Sequence, residues 1–72
     1  MLRADVIEAD GVIVSVLPGT VFRVELANGH RFLAFPRRRS KSAALRLAIG
    51  DRVKVEMTPF DLSKGRLILN ES

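Results

Sequence analysis

Hydrophobic and polar positions alternate with period two along most of this chain, the spacing of strands that turn one face to a core. Val6 to Leu17 is rich in β-branched residues, with Val12, Val14 and Val16 on one face and Ile13, Ser15 and Leu17 on the other. That predicts a long first strand, and Gly11 within it marks a bulge or coil where a small barrel turns its corner. Pro18-Gly19 is a turn. Val21 to Leu26 alternates cleanly, Phe22, Val24 and Leu26 inward and Arg23 and Glu25 outward. Ala27-Asn28-Gly29-His30 follows, and Asn-Gly predicts a tight hairpin whose two central residues both take positive φ. Arg31 to Phe35 is the third strand, with Phe32 and Ala34 on one face and Leu33 and Phe35 on the other. Pro36 cannot donate to a strand ladder and ends it.

The second half is less regular. Ser40 to Leu47 predicts a short helix with Ser40 or Ser42 as N-cap and Ala43, Ala44 and Leu45 inside it, marginal unless packed. Ile49-Gly50-Asp51 is a turn, and Arg52 to Met57 alternates again, burying Val53, Val55 and Met57. Thr58 to Gly65 reads as a loop, too polar and too marked by Pro and Gly for a strand. Arg66 to Leu69 is the last strand and Asn70-Glu71-Ser72 a fraying tail. The expected fold is all-β: a five-stranded OB-fold barrel with a short helical connector between strands 3 and 4. An SH3-like barrel fits the strand count too, although it usually lacks the connector helix.

Composition narrows the class. Seventy-two residues predict a single domain spanning 1–72, near the lower limit for an unstapled core. Without cysteine, neither a disulfide nor a thiolate metal site can staple it, a composition compatible with a reducing cytosol without establishing one. No apolar run approaches the roughly 20 residues that span a bilayer, and the first residues carry no signal-peptide pattern. The net charge of +4 is unevenly placed. Leu26 to Gly50 contains no acid, yet holds Arg31, Arg37, Arg38, Arg39, Lys41 and Arg46. Such a patch favours a polyanion, nucleic acid first and an anionic membrane surface second. Pro36, two serines and few large apolar residues disfavour a membrane helix.

Particular residues carry a further likeness. They are Asp5 with Ile7-Glu8, Gly11, Leu17-Pro18, and Phe22-Arg23-Val24-Glu25-Leu26 with Asn28-Gly29-His30. Gly50-Asp51 with Val53 and Val55-Glu56 continue it, and Thr58-Pro59-Phe60-Asp61-Leu62-Ser63-Lys64-Gly65-Arg66 ends it. At this spacing, over nearly the whole chain, the sequence resembles bacterial translation initiation factor one. The resemblance implies an OB-fold ribosomal-RNA binder without enzymatic activity or cofactor, cytoplasmic and monomeric. Its partners would be the small ribosomal subunit, at the decoding region later used by elongator tRNA, and the other initiation factors, with which it selects initiator tRNA. The departures cluster in the connector. Phe35-Pro36-Arg37-Arg38-Arg39 stands where the family usually has a histidine, Ile-Ser-Gly and a lysine, and Ala43-Ala44 replaces an Asn-Tyr pair. Arg46 matches, and Asn70-Glu71-Ser72 replaces a basic tail.

Arg37, Arg38, Arg39, Lys41 and Arg46 are therefore the main candidates for contacts to RNA phosphate, since guanidinium groups bridge phosphate oxygens and stack on bases. Lys64 and Arg66 match family residues near RNA; the plainer reading is a strand edge protected by charge. Arg23, His30 and Arg31, beside the hairpin, are given a minor RNA role. Phe35 neighbours the arginines and can stack on a base, although core or rim packing is its default, and Phe60 is expected to staple its loop to the barrel. One histidine makes no metal site. Asp5, Glu8 and Asp10 are ordinary surface acids with no partner base, so no catalytic residue is assigned. A cold-shock-like RNA chaperone and a barrel adaptor for an acidic protein remain as alternatives; the first lacks its usual aromatics, as the chain has four Phe and no Trp or Tyr.

Overall fold

A computed structural model describes residues 6–69. Its strands are β1 (Ile7–Leu17), β2 (Val21–Leu26), β3 (Arg31–Phe35), β4 (Arg52–Thr58) and β5 (Asp61–Ile68). Between β3 and β4 lie a 3-10 turn over Arg38–Ser40 and the one-turn helix α1 (Lys41–Ala44). The strands close into a barrel in the order β1-β2-β3-β5-β4. This closure, with a helical connector after β3, is the OB-fold and decides between the two barrels that the strand count allows. Neighbours run antiparallel except β3 and β5, which pair in parallel through Leu33↔Lys64, Ala34↔Gly65 and Phe35↔Arg66.

The period-two pattern translates directly into the core. Phe22 and Val24 of β2, Phe32 and Ala34 of β3, and Val53, Val55 and Met57 of β4 are buried, with Ile13 and Leu67 beside them. Each large side chain so buried contributes about 1.5–3 kcal/mol. The connector docks onto this core through Ala44, which is fully buried, and through Leu47, packed against the cluster. Tertiary packing is what holds so short a helix. Ser40 stands at its N-cap but makes no side-chain capping bond to the helix, and Leu45, expected inside the helix, projects into solvent.

Three expectations need correction. The bulge in β1 is not at Gly11: the register with β2 shifts between Ile13↔Val24 and Ser15↔Arg23, leaving Val14 as the extra residue. Val16 consequently pairs with Phe22, although at the end of the strand it stays 50% exposed. Gly11 instead sits where β1 is flanked by Leu26 of β2 and Val53 of β4. A Cβ there would meet Val24 Cγ1 at 2.5 Å and the Glu25 carbonyl oxygen at 3.0 Å.

The β2–β3 hairpin also differs. Only Gly29 takes positive φ (90°); Asn28 does not. The turn is closed by Gly29 N–H donating to Leu26 C=O (2.9 Å) and Leu26 N–H to His30 C=O (2.8 Å). Asn28 Oδ1 accepts from His30 N–H (2.9 Å), so its side chain shapes the loop from outside the backbone ladder.

Thirdly, the polar stretch after Thr58 is not a loop. Thr58 pairs with Asp61 across a two-residue turn at Pro59-Phe60, and β5 starts at Asp61. Its first four residues are exposed, so no hydrophobic alternation announces them; Asp61 pairs with Thr58 of β4 and Lys64 with Leu33 of β3, and the β4–β5 register shifts between Thr58 and Glu56. Asp61 locks its start, its carboxylate accepting from the Ser63 hydroxyl (2.6 Å) and Ser63 N–H (3.1 Å). The predicted tail Asn70-Glu71-Ser72 and the acid Asp5 lie outside the described residues.

Gly11→Ala is expected to lower the unfolding free energy by about 1–3 kcal/mol, measured as a fall in urea midpoint at constant slope; an unchanged midpoint would mean that β1 moves aside at no cost. The Ser63 hydroxyl, the Ser63 N–H and the charge of Lys64, in that order, hold the Asp61 pKa below its ordinary 3.8. A lowered folded pKa contributes stability that is full above 3.8 and lost as pH falls through the folded value. NMR titration should find the Asp61 midpoint below 3.8, and Ser63→Ala should return it toward that value.

Candidate nucleic-acid interface

Because Phe32, Ala34 and Val55 point into the barrel, their alternates point out. The register then lines up two rows across the outer face. One runs Arg23 (β2), Leu33 (β3), Lys64 (β5). The next runs Phe35 (β3), Arg66 (β5), Glu56 (β4), Glu8 (β1). Parallel pairing of β3 with β5 thus brings the predicted bases of the last strand beside the aromatic of the third.

Where the second row meets the connector, Arg37, Arg38, Arg39 and Arg66 line one shallow depression with Pro36. Arg66, from the far end of the sequence, joins the arginine run here. Beside it is a cleft of about 420 Å³ walled by Phe35, Glu56, Lys64, Arg66 and Asp61, with Met57 and Val6 at its apolar side. A third hollow is lined by Arg23, Arg31, Phe32, Leu33 and Ser63. Lys41 opens α1 and Arg46 lies in the turn after it; both are exposed, and neither lines these three hollows. Of the predicted phosphate contacts, then, Arg37–Arg39 and Arg66 converge, Lys64 adjoins them, and Lys41 and Arg46 stand apart on the connector.

His30 has another task. Its Nε2–H donates to the Leu62 carbonyl (2.7 Å), and its ring stacks on Phe32 with centroids 5.8 Å apart. The side chain thereby ties the β2–β3 hairpin to the start of β5.

Of the two aromatics, Phe35 fits its expected place at the rim and Phe60 does not fit its own. Phe35 is on the outer face, 37% exposed, and lines the cleft. Phe60 does not staple a loop to the barrel: it occupies the apex of the β4–β5 hairpin, 83% exposed. A two-residue turn leaves its apex nothing to pack on, and the Pro59-Phe60 pair between Thr58 and Asp61 was the signal for this. An exposed ring can receive a stacked base at about 1–3 kcal/mol.

Besides Asp61 in the cleft and Glu8 in the second row, two acids of the basic face pair with its arginines, which the charge count along the chain conceals. Arg37 Nη2 lies 3.9 Å from Glu56 Oε1, and Arg31 Nε lies 3.7 Å from Glu25 Oε2. These partly exposed pairs are worth about 0–1 kcal/mol each and yield readily to a stronger anion. Chemically the face offers guanidinium forks for phosphate, rings for bases and, in Glu25 and Glu56, carboxylates that already compete for its arginines. Among the described residues no helix is long and apolar enough to cross a membrane.

No family model matches the sequence. Among solved structures, YjeQ from Thermotoga maritima is similar at 26% identity and a TM-score of 0.64, over 88% of this chain and 22% of that one, so the present barrel spans about a fifth of YjeQ. The solution structure of translation initiation factor one from the Wolbachia endosymbiont strain TRS of Brugia malayi is similar at 34% identity and a TM-score of 0.71, over 94% of this chain and 80% of that one. With the closed five-stranded barrel and its connector, that likeness over most of both chains places the protein in the family of translation initiation factor one.

Proposed function

We propose that this chain binds ribosomal RNA at the decoding site of the small ribosomal subunit and, with the other initiation factors, assists selection of the initiator tRNA. It does so as one monomeric RNA-binding domain in the cytoplasm, by binding and not by catalysis. The observation that carries this reading is the convergence of Arg37, Arg38 and Arg39 with Arg66 around one depression, on a barrel of the initiation-factor family. In that position guanidinium groups meet RNA phosphates bidentately. Lys64 extends the track along β5, Lys41 and Arg46 extend it along the connector, and Arg23 and Arg31 flank it. Phe35 and Phe60 supply stacking surfaces at the cleft and at the hairpin apex.

Co-sedimentation with purified small subunits, followed by chemical footprinting of the decoding-site nucleotides, tests the reading directly. Protection of those nucleotides is expected. Diffuse, sequence-independent protection would point to an RNA chaperone, and no binding to an adaptor for an acidic protein. If Arg37, Arg38, Arg39, Lys41 and Arg46 all meet phosphates, log Kd against log salt should have a slope of magnitude roughly 3–5; a slope near zero rejects the phosphate contacts. Phe60→Ala should leave unfolding free energy within about 0.5 kcal/mol of wild type, being exposed, and weaken subunit binding by about 1 kcal/mol or more. Phe35→Ala should likewise weaken binding more than it lowers Tm; the reverse pattern would make Phe35 a packing residue.

A further inference from the structure

We propose that Glu56 is a specificity-determining residue of the basic face: it holds Arg37 in the free protein and competes for it with RNA phosphate. The inference rests on the RNA-binding reading above and adds a regulator of that same site.

The placement of Glu56 is what suggests the role. It lies on the outer face of β4, directly across from Arg66 on β5 and from Glu8 on β1. Its half-buried side chain walls the cleft that Phe35, Lys64 and Arg66 also line. From there its Oε1 reaches to 3.9 Å from Arg37 Nη2, bringing a β4 carboxylate to the edge of the four-arginine depression.

At 3.9 Å the pair is coulombic and lacks the 2.7–2.9 Å contact of a charge-assisted hydrogen bond. A phosphate oxygen that docks at hydrogen-bond distance therefore wins Arg37, while one held farther away by an ill-fitting backbone does not. The displaced carboxylate stays beside Arg66, with Glu8 opposite, and repels any phosphate that strays into the second row. Screening does not remove this effect, because the groups lie well within the Debye length of about 8 Å at physiological salt. An arginine patch without such an acid would bind every polyanion according to its charge alone. Glu56 lowers affinity for all RNA and lowers it most for RNA whose phosphates fit poorly, which raises discrimination.

The test uses the full chain, with a poly-uridine 20-mer and purified small ribosomal subunits as probes, and the near-isosteric Glu56→Gln. Affinity for poly-uridine should rise about three- to five-fold, the worth of one exposed ion pair, and its salt slope should steepen by about one. Affinity for the subunit should rise less, so that the ratio of the two affinities falls by about two-fold or more. In an Arg37→Gln background the gain for poly-uridine should shrink below about two-fold, because most of the effect runs through Arg37 and only the repulsion in the second row remains. A merely structural Glu56 would shift Tm and leave slope and ratio alone; that outcome overturns the proposal. An equal gain in both Arg37 backgrounds overturns it as well, since the carboxylate would then act through its general field. Wild-type protein that binds neither probe overturns the RNA reading itself, whereas normal wild-type binding with no effect of Glu56→Gln overturns this inference alone.

Discussion

Three residue pairs between β3 and β5 close this barrel, and much of the molecule depends on them. They form because Gly65 has no side chain: a Cβ there would lie 2.8 Å from the Phe32 ring and 3.2 Å from the Glu56 carbonyl oxygen. Phe32 can then fill the core while β5 passes over it with its backbone in pairing range of both β3 and β4. The same closure brings Lys64 alongside Leu33 and Arg66 alongside Phe35. A packing constraint in the interior thereby builds the basic face outside. Any residue larger than glycine at this crossing would disturb the core and the arrangement of the cations together.

The connector obeys a related logic. A single turn of helix has little stability of its own, and this one keeps its place because Ala44 is sealed against the barrel and Leu47 packs beside it. With those two inward, Arg37, Arg38, Arg39, Lys41, Leu45 and Arg46 are left on the solvent side. The connector is a rim for the arginines, and the small alanines allow it to lie close to the core.

Electrostatically, the face is less uniform than an acid-free stretch of 25 residues suggests. Glu56 and Glu25 enter it from β4 and β2, strands outside that stretch for most of their length, and each reaches an arginine. Such pairs cost little to break, so they leave the arginines open to a polyanion; on the proposal above, Glu56 sets how well a ligand must fit before it is held. In a protein of this initiation-factor family, whose proposed target lies among many other RNA surfaces, that distinction bears on function as much as affinity does.

Most of the architecture is legible from local physics. The alternation in Val21–Leu26, Arg31–Phe35 and Arg52–Met57 specifies strands and their inward residues, because one face of each is sealed in a core. The arginine run after Pro36 specifies a charged connector, since three adjacent guanidinium groups cannot be buried. Other features depend on partners distant in the chain. The polar half of β5 carries no pattern, because its outer face is solvated and its pairing comes from backbone groups of β3 and β4. The bulge falls at Val14, where β1 must shift register against β2, and not at the glycine that local rules favour; Gly11 is spent on close approach to β2. Phe60, expected to staple its loop to the barrel, is exposed through the tightness of its turn. Residue order along the chain thus determined the strands, the core and the existence of a basic segment. Tertiary structure alone decided that Arg66 would join Arg37–Arg39 and that Glu56 would stand among them, because those contacts exist only once the barrel closes.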